Sequence, residues 1–315
     1  MQGRTDYSAG GSGMVDLSVH VGDLCLKNPV VLASGTCGYG RELAKFINLE
    51  MVGAITVKGL SMEPWQGNPP PRIHEVYAGV LNSIGLENKG LESFLREDLP
   101  FFETIETPLF VNIWGKNVKE YVLLARNLDA VERVTAIELN LSCPNVEKGG
   151  VSFALQEKVF EELVGKVRHS FTRKIIAKLG PQIFDLERAL QILEREGIDF
   201  VSATNSFPGL AVNVDEQRFV FSRRVAGFSG PAIKPLALKL VYDIVSVTRL
   251  PVIGMGGIVC WKDALEFLLI GARAIGLGTV NLIYPDAAQR ILRGIEEYLD
   301  QKGIPSLEAI IGKVR

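Results

Sequence analysis

The residues best suited to chemistry lie in AIELNLSCPN, Ala136 to Asn145, and in the glycine-rich VEKGGVS that follows. Ile137, Leu139 and Leu141 alternate with Glu138, Asn140 and Ser142. That is the period of a strand with one apolar face and one polar line. Cys143 stands where the strand should end, because Pro144 cannot donate to a sheet ladder. Residues 145–151 then predict a mobile loop. A thiol at the exit of a polar-lined strand, under a glycine-rich flap, is a reasonable place for chemistry. The bland alternative is a buried thiol acting as a small hydrophobe. What the other strand ends carry weighs between the two.

Nearly every strand expected in this chain ends in a polar residue or glycine. The ends are Ser34-Gly35, Lys58-Gly59, Asn112, Asn140 with Cys143, Lys178, Thr204-Asn205-Ser206, Gly256-Gly257 and Gly278-Thr279. Taken singly, a strand-end lysine snorkels, an asparagine caps a turn, and a glycine eases a tight connection. Jointly they are harder to dismiss, since Lys58 and Lys178 sit in otherwise apolar runs, ITVKG and IIAKL. A buried ammonium needs a carboxylate or a bound anion beside it. The loops GMGGI and GLGT, with GFSGPA at 227–232, add small residues and free backbone N–H groups suited to a phosphate. No G-x-G-x-x-G with a following acidic residue is present, which argues against a Rossmann nicotinamide site.

The elements that must position these groups alternate regularly. Strands are expected at Val30–Gly35, Ala54–Gly59, Leu109–Gly115, Ala136–Cys143, Lys174–Gly180, Phe200–Ser206, Pro251–Gly257 and Ala274–Val280. Helical patterns lie between them at Arg41–Asn48, Leu91–Phe102, Val118–Val131, Ser152–His169, Phe184–Glu196, Ile233–Thr248, Trp261–Ile270 and Asp286–Gln301. About eight βα units over this length predict an α/β fold of the TIM (β/α)8 type, with an open doubly wound sheet as the rival. A β-hairpin turning at Gly22-Asp23 precedes the barrel. Insertions follow strand two (Ser61–Gly85, with a possible further hairpin) and strand six (Phe207–Ala232), on the side where βα loops build sites.

Composition narrows the class. A hydrophobic content of 47% with 22% charged residues suits a globular protein with a sizeable core. A net charge of −2 points to neither nucleic acid nor an anionic membrane. No run of ~18 apolar residues suggests a membrane span. Four scattered cysteines without a C-x-x-C pair fit a reducing cytoplasm better than a disulfide framework or an iron–sulfur cluster. No metal site is expected. Residues 1–13 have the look of a disordered extension or cloning scar, with Met14 a plausible natural start and 14–315 a single barrel domain.

At these residues the chain resembles class 1 dihydroorotate dehydrogenases, and within them the catalytic subunit of the NAD-linked 1B type. The resemblance runs from Leu17 to about Gln301 and rests on NPVVLASGTCGYG, TVKG, NSIGLEN, NLSCPN, AKL, ATNS, SGPAIKPLAL, GMGGI and GLGT. Cys rather than Ser at 143 separates class 1 from class 2, and GYGRE after ASGT fits the 1B branch. Cys37 stands where the family usually has an aromatic residue, and Thr204 where an aliphatic one is common. The resemblance implies FMN across the barrel mouth. Its phosphate would meet Gly230, Gly256, Gly257, Gly278 and Thr279, and its ring Ser34, Lys58, Gly59, Asn112, Asn140, Lys178 and Thr204. Dihydroorotate would be held by Lys58, Asn82, Ser83, Ile84, Gly85, Leu86, Asn140, Asn205 and Ser206. Cys143 would be the base that takes the C5 proton while hydride leaves C6 for the flavin. Electrons would pass to NAD through a second subunit carrying FAD and a [2Fe–2S] cluster, in a heterotetramer of two catalytic and two electron-transfer chains.

The nearest rival within this chemistry is a dihydropyrimidine dehydrogenase-like flavin reductase. A tRNA dihydrouridine synthase would want a basic surface. From another class, a flavin-less phosphosugar isomerase or aldolase barrel would also use the glycine loops. A purely structural or binding role explains none of the strand-end lysines and amides.

Overall fold

The computed structural model describes residues 15–142, 144–145 and 151–314, with the backbone alone at 144, 145 and 151. The chain opens with an antiparallel hairpin, β1 (Val19–Val21) and β2 (Leu24–Leu26), turned through Gly22-Asp23. β3 (Val30–Leu32) and β4 (Ala54–Leu60) begin the barrel. β5 (Ile73–Val76) and β6 (Gly79–Asn82) form a hairpin inside the first insertion. β7 (Leu109–Ile113) and β8 (Val134–Asn140) resume the barrel. A short antiparallel pair follows, β9 (Pro144–Asn145) with β10 (Val151–Ser152), where only a loop was expected from sequence. Then come β11 (Lys174–Leu179) and β12 (Phe200–Ala203). The second insertion holds β13 (Phe207–Gly209), β14 (Val212–Asn213), β15 (Arg218–Phe219) and β16 (Ala226–Ser229). β17 (Val252–Met255) and β18 (Ala274–Leu277) complete the set.

Eight of these strands close into a parallel barrel in the order β3-β4-β7-β8-β11-β12-β17-β18, the last pairing with the first. This is the expected (β/α)8 architecture, and closure wins over the open sheet because Ile275 and Val30 lie in register. Every residue of β7, β12, β17 and β18 is buried, as befits strands covered on both faces. The outer helices are α1 (Gly90–Ser93) and α2 (Leu99–Phe102), joined by a π-helical turn at Phe94–Asp98, and then α3 (Val118–Asp129) and α4 (Glu157–Arg168). They continue with α5 (Leu186–Arg195), α6 (Lys234–Val247), α7 (Trp261–Leu269), the short α8 (Val280–Ile283) and α9 (Ala287–Gln301). α3 starts where the Asn117 side chain accepts the Glu120 N–H, and α5 where Asp185 accepts that of Arg188. Each turns an apolar stripe inward, in α5 Ala189, Leu190, Ile192 and Leu193.

Two expected helices differ in form. Arg41–Asn48 holds only the 3-10 turn Leu43–Lys45, and a second such turn follows at Leu49–Met51. Asn48 is extended and its side chain accepts the Glu50 N–H, so it starts a new turn instead of continuing the old one. Ser152–His169 is split in the same way. Ser152 accepts the Ala154 N–H to make the turn Phe153–Leu155, Gln156 is extended, and α4 begins only at Glu157.

The two insertions, distant in sequence, combine. β13, β16, β6 and β5 form one antiparallel sheet with Asn82 opposite Gly227. Its small core is Leu81, Phe221 and Ala226. At the opposite end of the barrel, arginines tie loops to strand starts. Arg133 donates from Nε to Phe102 O (2.7 Å) and from Nη2 to Ile105 O and Thr107 O (2.6 Å each). One guanidinium thereby satisfies three carbonyls around the entrance to β7. Arg133→Ala should cost about 2 kcal/mol, the scale of charge-assisted hydrogen bonds in partial contact with water. Thermal unfolding should show it as a midpoint lowered by roughly 3 °C. An unchanged midpoint would mean that water replaces the guanidinium without loss.

Candidate active site

Glu138 on β8 and Lys178 on β11 stand at the centre of the barrel's polar residues. In the parallel register Glu138 lies opposite Ile176 and Asn140 opposite Lys178, so the two charged residues are offset by one pleat and point to the same side. Their side chains are 3% and 7% exposed, with Lys178 Nζ 3.6 Å from Glu138 Oε2. Three neutral donors complete the carboxylate. Asn112 Nδ2 donates to Oε2 at 2.6 Å, Ser34 Oγ to the same oxygen at 3.3 Å, and Ser202 Oγ to Oε1 at 2.7 Å. Ser34 Oγ also accepts from Lys178 Nζ at 3.1 Å, so its hydroxyl relays between the two charges. Five strands, β3, β7, β8, β11 and β12, contribute to or abut this cluster. Gly59 is needed beside it, since a Cβ there would sit 2.6 Å from Asn112 Oδ1.

Amides gather above this pair. Asn205 Nδ2 donates to Asn140 Oδ1 at 3.3 Å, and Asn205 Oδ1 accepts the Ser206 N–H at 2.8 Å. Asn82 Nδ2 donates to Gly227 O at 3.1 Å, and a Cβ on Gly227 would lie 2.3 Å from Ser206 Oγ. Asn82 of the first insertion and Ser206 after β12 therefore both lie against Gly227 of the insertion sheet. Tyr121 of α3 donates its hydroxyl to Asn140 O at 2.7 Å, fixing the end of β8. The segment 82–86 is held from outside: Asn68 Nδ2 donates to Ser83 O and Oγ, Asn68 N to Ile84 O, and Trp65 Nε1 to Gly85 O. Leu86 adopts φ +64°, a conformation that only a tightly held loop imposes on a non-glycine residue.

Lys58 on β4 is half-buried. Burial pushes its ammonium below the usual lysine range, the Glu87 carboxylate draws it back up, and Arg72 pushes it down again. Its Nζ lies 3.9 Å from Glu87 Oε2.

The glycine-rich loops surround the adjoining ends of β17, β18 and β3. Gly257 has φ +75° and packs so closely that a Cβ would come within 2.7 Å of the Lys234 backbone nitrogen, at the start of α6. Gly230 and Gly256 are also at positive φ, and a Cβ on Gly256 would approach Thr204 Cγ2 at 3.2 Å. Thr279 Oγ1 donates to Ser229 Oγ at 2.8 Å, joining GLGT to SGPA. By contrast, a Cβ on Gly35 or Gly278 would meet nothing within 4 Å. Open space above two adjacent strand ends, walled by glycine backbone and flanked by a buried ammonium, fits a planar anionic cofactor with a phosphate.

The sequence-derived residues Ser34, Asn112 and Lys178 thus come together in one network, and Asn82, Asn140, Asn205 and Ser206 in a second. Lys58 stands apart with Glu87. Thr204 is buried, donating to Asn205 O at 2.8 Å. Cys37 is buried with its Sγ donating to Thr56 O at 3.0 Å, and burial pushes its thiol up to about 12. Cys143 lies outside the described residues. Sequence reasoning assigned no role to Glu138, Ser202, Tyr121, Asn68, Arg72 or Glu87. Glu138 alone left a signal, as a carboxylate on the polar line of a buried strand. Among the described residues no group of three or more His, Cys, Asp or Glu could hold a metal. No described helix is long and apolar enough to cross a membrane.

Residues 16–299 match the family model described as dihydroorotate dehydrogenase. Three relatives carry the name dihydroorotate dehydrogenase B (NAD(+)), catalytic subunit. The protein of Geotalea daltonii is 44% identical over 300 residues, 95% of this chain and 98% of its own length. That of Thermoanaerobacter sp. is 42% identical over 96% of this chain and 99% of its own. That of Bacteroides fragilis is 42% identical over 95% and 99%.

Removing one partner of a buried ion pair strands the other, so Glu138→Ala should destabilise the fold by about 3–5 kcal/mol. Lys178→Met placed on top should return part of that loss, because no unpaired ammonium remains. Urea unfolding of the single and double variants reads both. A double variant as unstable as the sum of the singles would mean the two charges are independent.

Proposed function

The chain belongs to the dihydroorotate dehydrogenase family, and from that premise we propose that it oxidises (S)-dihydroorotate to orotate in pyrimidine biosynthesis, with FMN as its cofactor. The observation that carries this reading is the gathering of Asn82, Asn140, Asn205 and Ser206 at the barrel mouth. A ureide ring alternates N–H donors with C=O acceptors, and side-chain amides supply both at once. Lys58 and the backbone N–H groups of Ile84, Gly85 and Leu86 would offset the substrate carboxylate, while Ser83, whose N–H is held by the Arg72 carbonyl, would line the same loop.

The residues that would hold FMN are Ser34, Lys58, Gly59, Asn112, Asn140, Lys178 and Thr204 around its ring. Gly230, Gly256, Gly257, Gly278 and Thr279 would hold its phosphate. When bound, the flavin supplies the acceptor for the hydride that leaves C6 of the substrate. Lys178 would offset the negative charge that gathers there, an electrostatic role that a fixed and desolvated ammonium performs without reorganising. Glu138 and Ser34 keep that ammonium in place. Cys143 is the proposed base for the C5 proton. A free thiol near pKa ~8.5 is only slightly ionised at neutral pH, so the step should quicken as pH rises. The loop over 145–151 would exclude water while the proton moves.

Orotate formation leaves two electrons to be passed on. We infer that a partner subunit carrying FAD and a [2Fe–2S] cluster takes them to NAD. The relatives' name, catalytic subunit, supports a partner, and the absence of a Rossmann fingerprint in this sequence agrees with it. Two catalytic and two electron-transfer chains, working in the cytoplasm, complete the proposal.

The direct test is the visible spectrum of the purified protein before and after anaerobic dihydroorotate. A yellow protein that bleaches with dihydroorotate and not with dihydrouracil supports the reading, and a colourless one overturns it. Cys143→Ala should bind FMN and orotate yet lose ~10²-fold in the rate of bleaching, the usual scale for a positioned base. Bleaching by that variant at the unchanged rate would remove Cys143 from the role. The chain alone should form NADH negligibly, and adding the electron-transfer subunit should restore it. Strong NAD reduction by this chain alone would refute the partner.

A further inference from the structure

The Lys58 ammonium and the Arg72 guanidinium approach the same carboxylate oxygen. Arg72 Nη1 lies 2.7 Å from Glu87 Oε2, while Lys58 Nζ lies 3.9 Å from it. The nearer cation is also the immobile one. Arg72 Nε donates to Asn68 O, Nη2 to Gln66 O, and the Arg72 carbonyl accepts the Ser83 N–H. Asn68 in turn grips Ser83 through its side chain and Ile84 through its backbone. The guanidinium is therefore locked to the loop that carries Glu87, and Lys58 reaches the pair only loosely. Without Arg72 the nearest opposite charge for Lys58 is a bare carboxylate, and Glu42 acts on it more weakly than Glu87 does.

We propose that Arg72 is a positioning residue that acts through Glu87: by neutralising that carboxylate it leaves the Lys58 ammonium free for the carboxylate of the substrate. This rests on the dihydroorotate reading, since it assigns Lys58 an anionic ligand. Two effects follow if Glu87 loses its partner. The carboxylate draws Lys58 toward itself, and it repels the incoming anion a few ångströms beyond. Both weaken anion binding, and both vanish if Glu87 is neutral. Glu87 is 44% exposed and the two cations 26%, so water screens the effect to a moderate size.

The test is isothermal titration of orotate into the FMN-loaded full-length protein, which reads binding apart from turnover. Arg72→Gln should weaken orotate by about tenfold, the size of one largely water-screened unit charge at this separation. The double variant Arg72→Gln/Glu87→Gln should return to near the wild-type affinity, because the competing carboxylate is gone. A scaffold role for Arg72 alone predicts no such rescue, and a double variant as weak as the single would overturn the proposal. So would an unchanged Arg72→Gln. Glu87→Gln keeps the shape of the loop and should bind orotate at least as tightly as the wild type. If Arg72→Gln does not fold, that measurement decides, and markedly weaker binding would refute the competition. Failure of the wild type itself to bind orotate would remove the functional reading, and this proposal with it.

Discussion

The buried pair of Glu138 and Lys178 is the interaction on which the site's architecture depends. Two charges removed from water lose solvation worth several kcal/mol each, and their mutual attraction repays this only with further hydrogen bonds. Here the carboxylate receives Asn112, Ser34 and Ser202 in addition to the ammonium. Each donor comes from a different strand or strand end, so the pair is satisfied only when the barrel is closed and in register. A slip of one residue in β8 would turn Glu138 to the outer face and leave Lys178 with Ser34 alone. The geometry of the mouth and the closure of the barrel are thus one constraint seen twice.

The second lysine follows a different logic. Among the described residues the charged partner of Lys58 is Glu87, which belongs to the loop after β6 and not to the barrel wall. Its environment is built by the loop 82–88, which Asn68, Trp65 and Arg72 hold from outside. One ammonium is therefore fixed for good inside the barrel, and the other is left adjustable at the rim. That division suits a site where a permanent cofactor and an exchanging substrate both bring negative charge. A fully paired lysine can stabilise charge without moving, while a lightly paired one can change partner when an anion arrives and leaves.

Much of this was legible in the sequence because the barrel is built from local signals. Apolar runs closed by polar or glycine residues marked all eight strands, and the helices between them were placed to within a few residues wherever an Asn or Asp cap opened the pattern. The exceptions have local causes: Asn48 and Ser152 each use the side chain to begin a new turn, which a periodicity count does not register. The clustering of Ser34, Asn112 and Lys178 followed from their shared position at strand ends. The joining of the two insertions into one sheet did not, because the pairing of Asn82 with Gly227 is between segments 145 residues apart with no local mark. Nor did the roles of Arg72 and Glu87, whose charges look like ordinary surface residues until the loop folds back over Lys58.

The distribution of polar groups along the barrel axis carries the last step. At the end opposite the mouth, Arg133 and Arg173 spend their donors on backbone carbonyls of Phe102, Ile105, Thr107, Leu128 and Val131, three of which also accept a backbone N–H in a local turn. Those contacts have no spare capacity and stabilise only the fold. At the mouth Asn205 donates to Asn140 and Thr279 to Ser229, side chain to side chain, and side-chain amides and hydroxyls retain further valences after pairing once. Asn140, Asn205 and Ser206 hold one another in place while keeping sites for a ligand. The same chemical groups therefore do structural work at one end and remain available at the other. What separates the two uses is whether a group keeps donor or acceptor capacity after its structural bond is made, as a singly paired side-chain amide does.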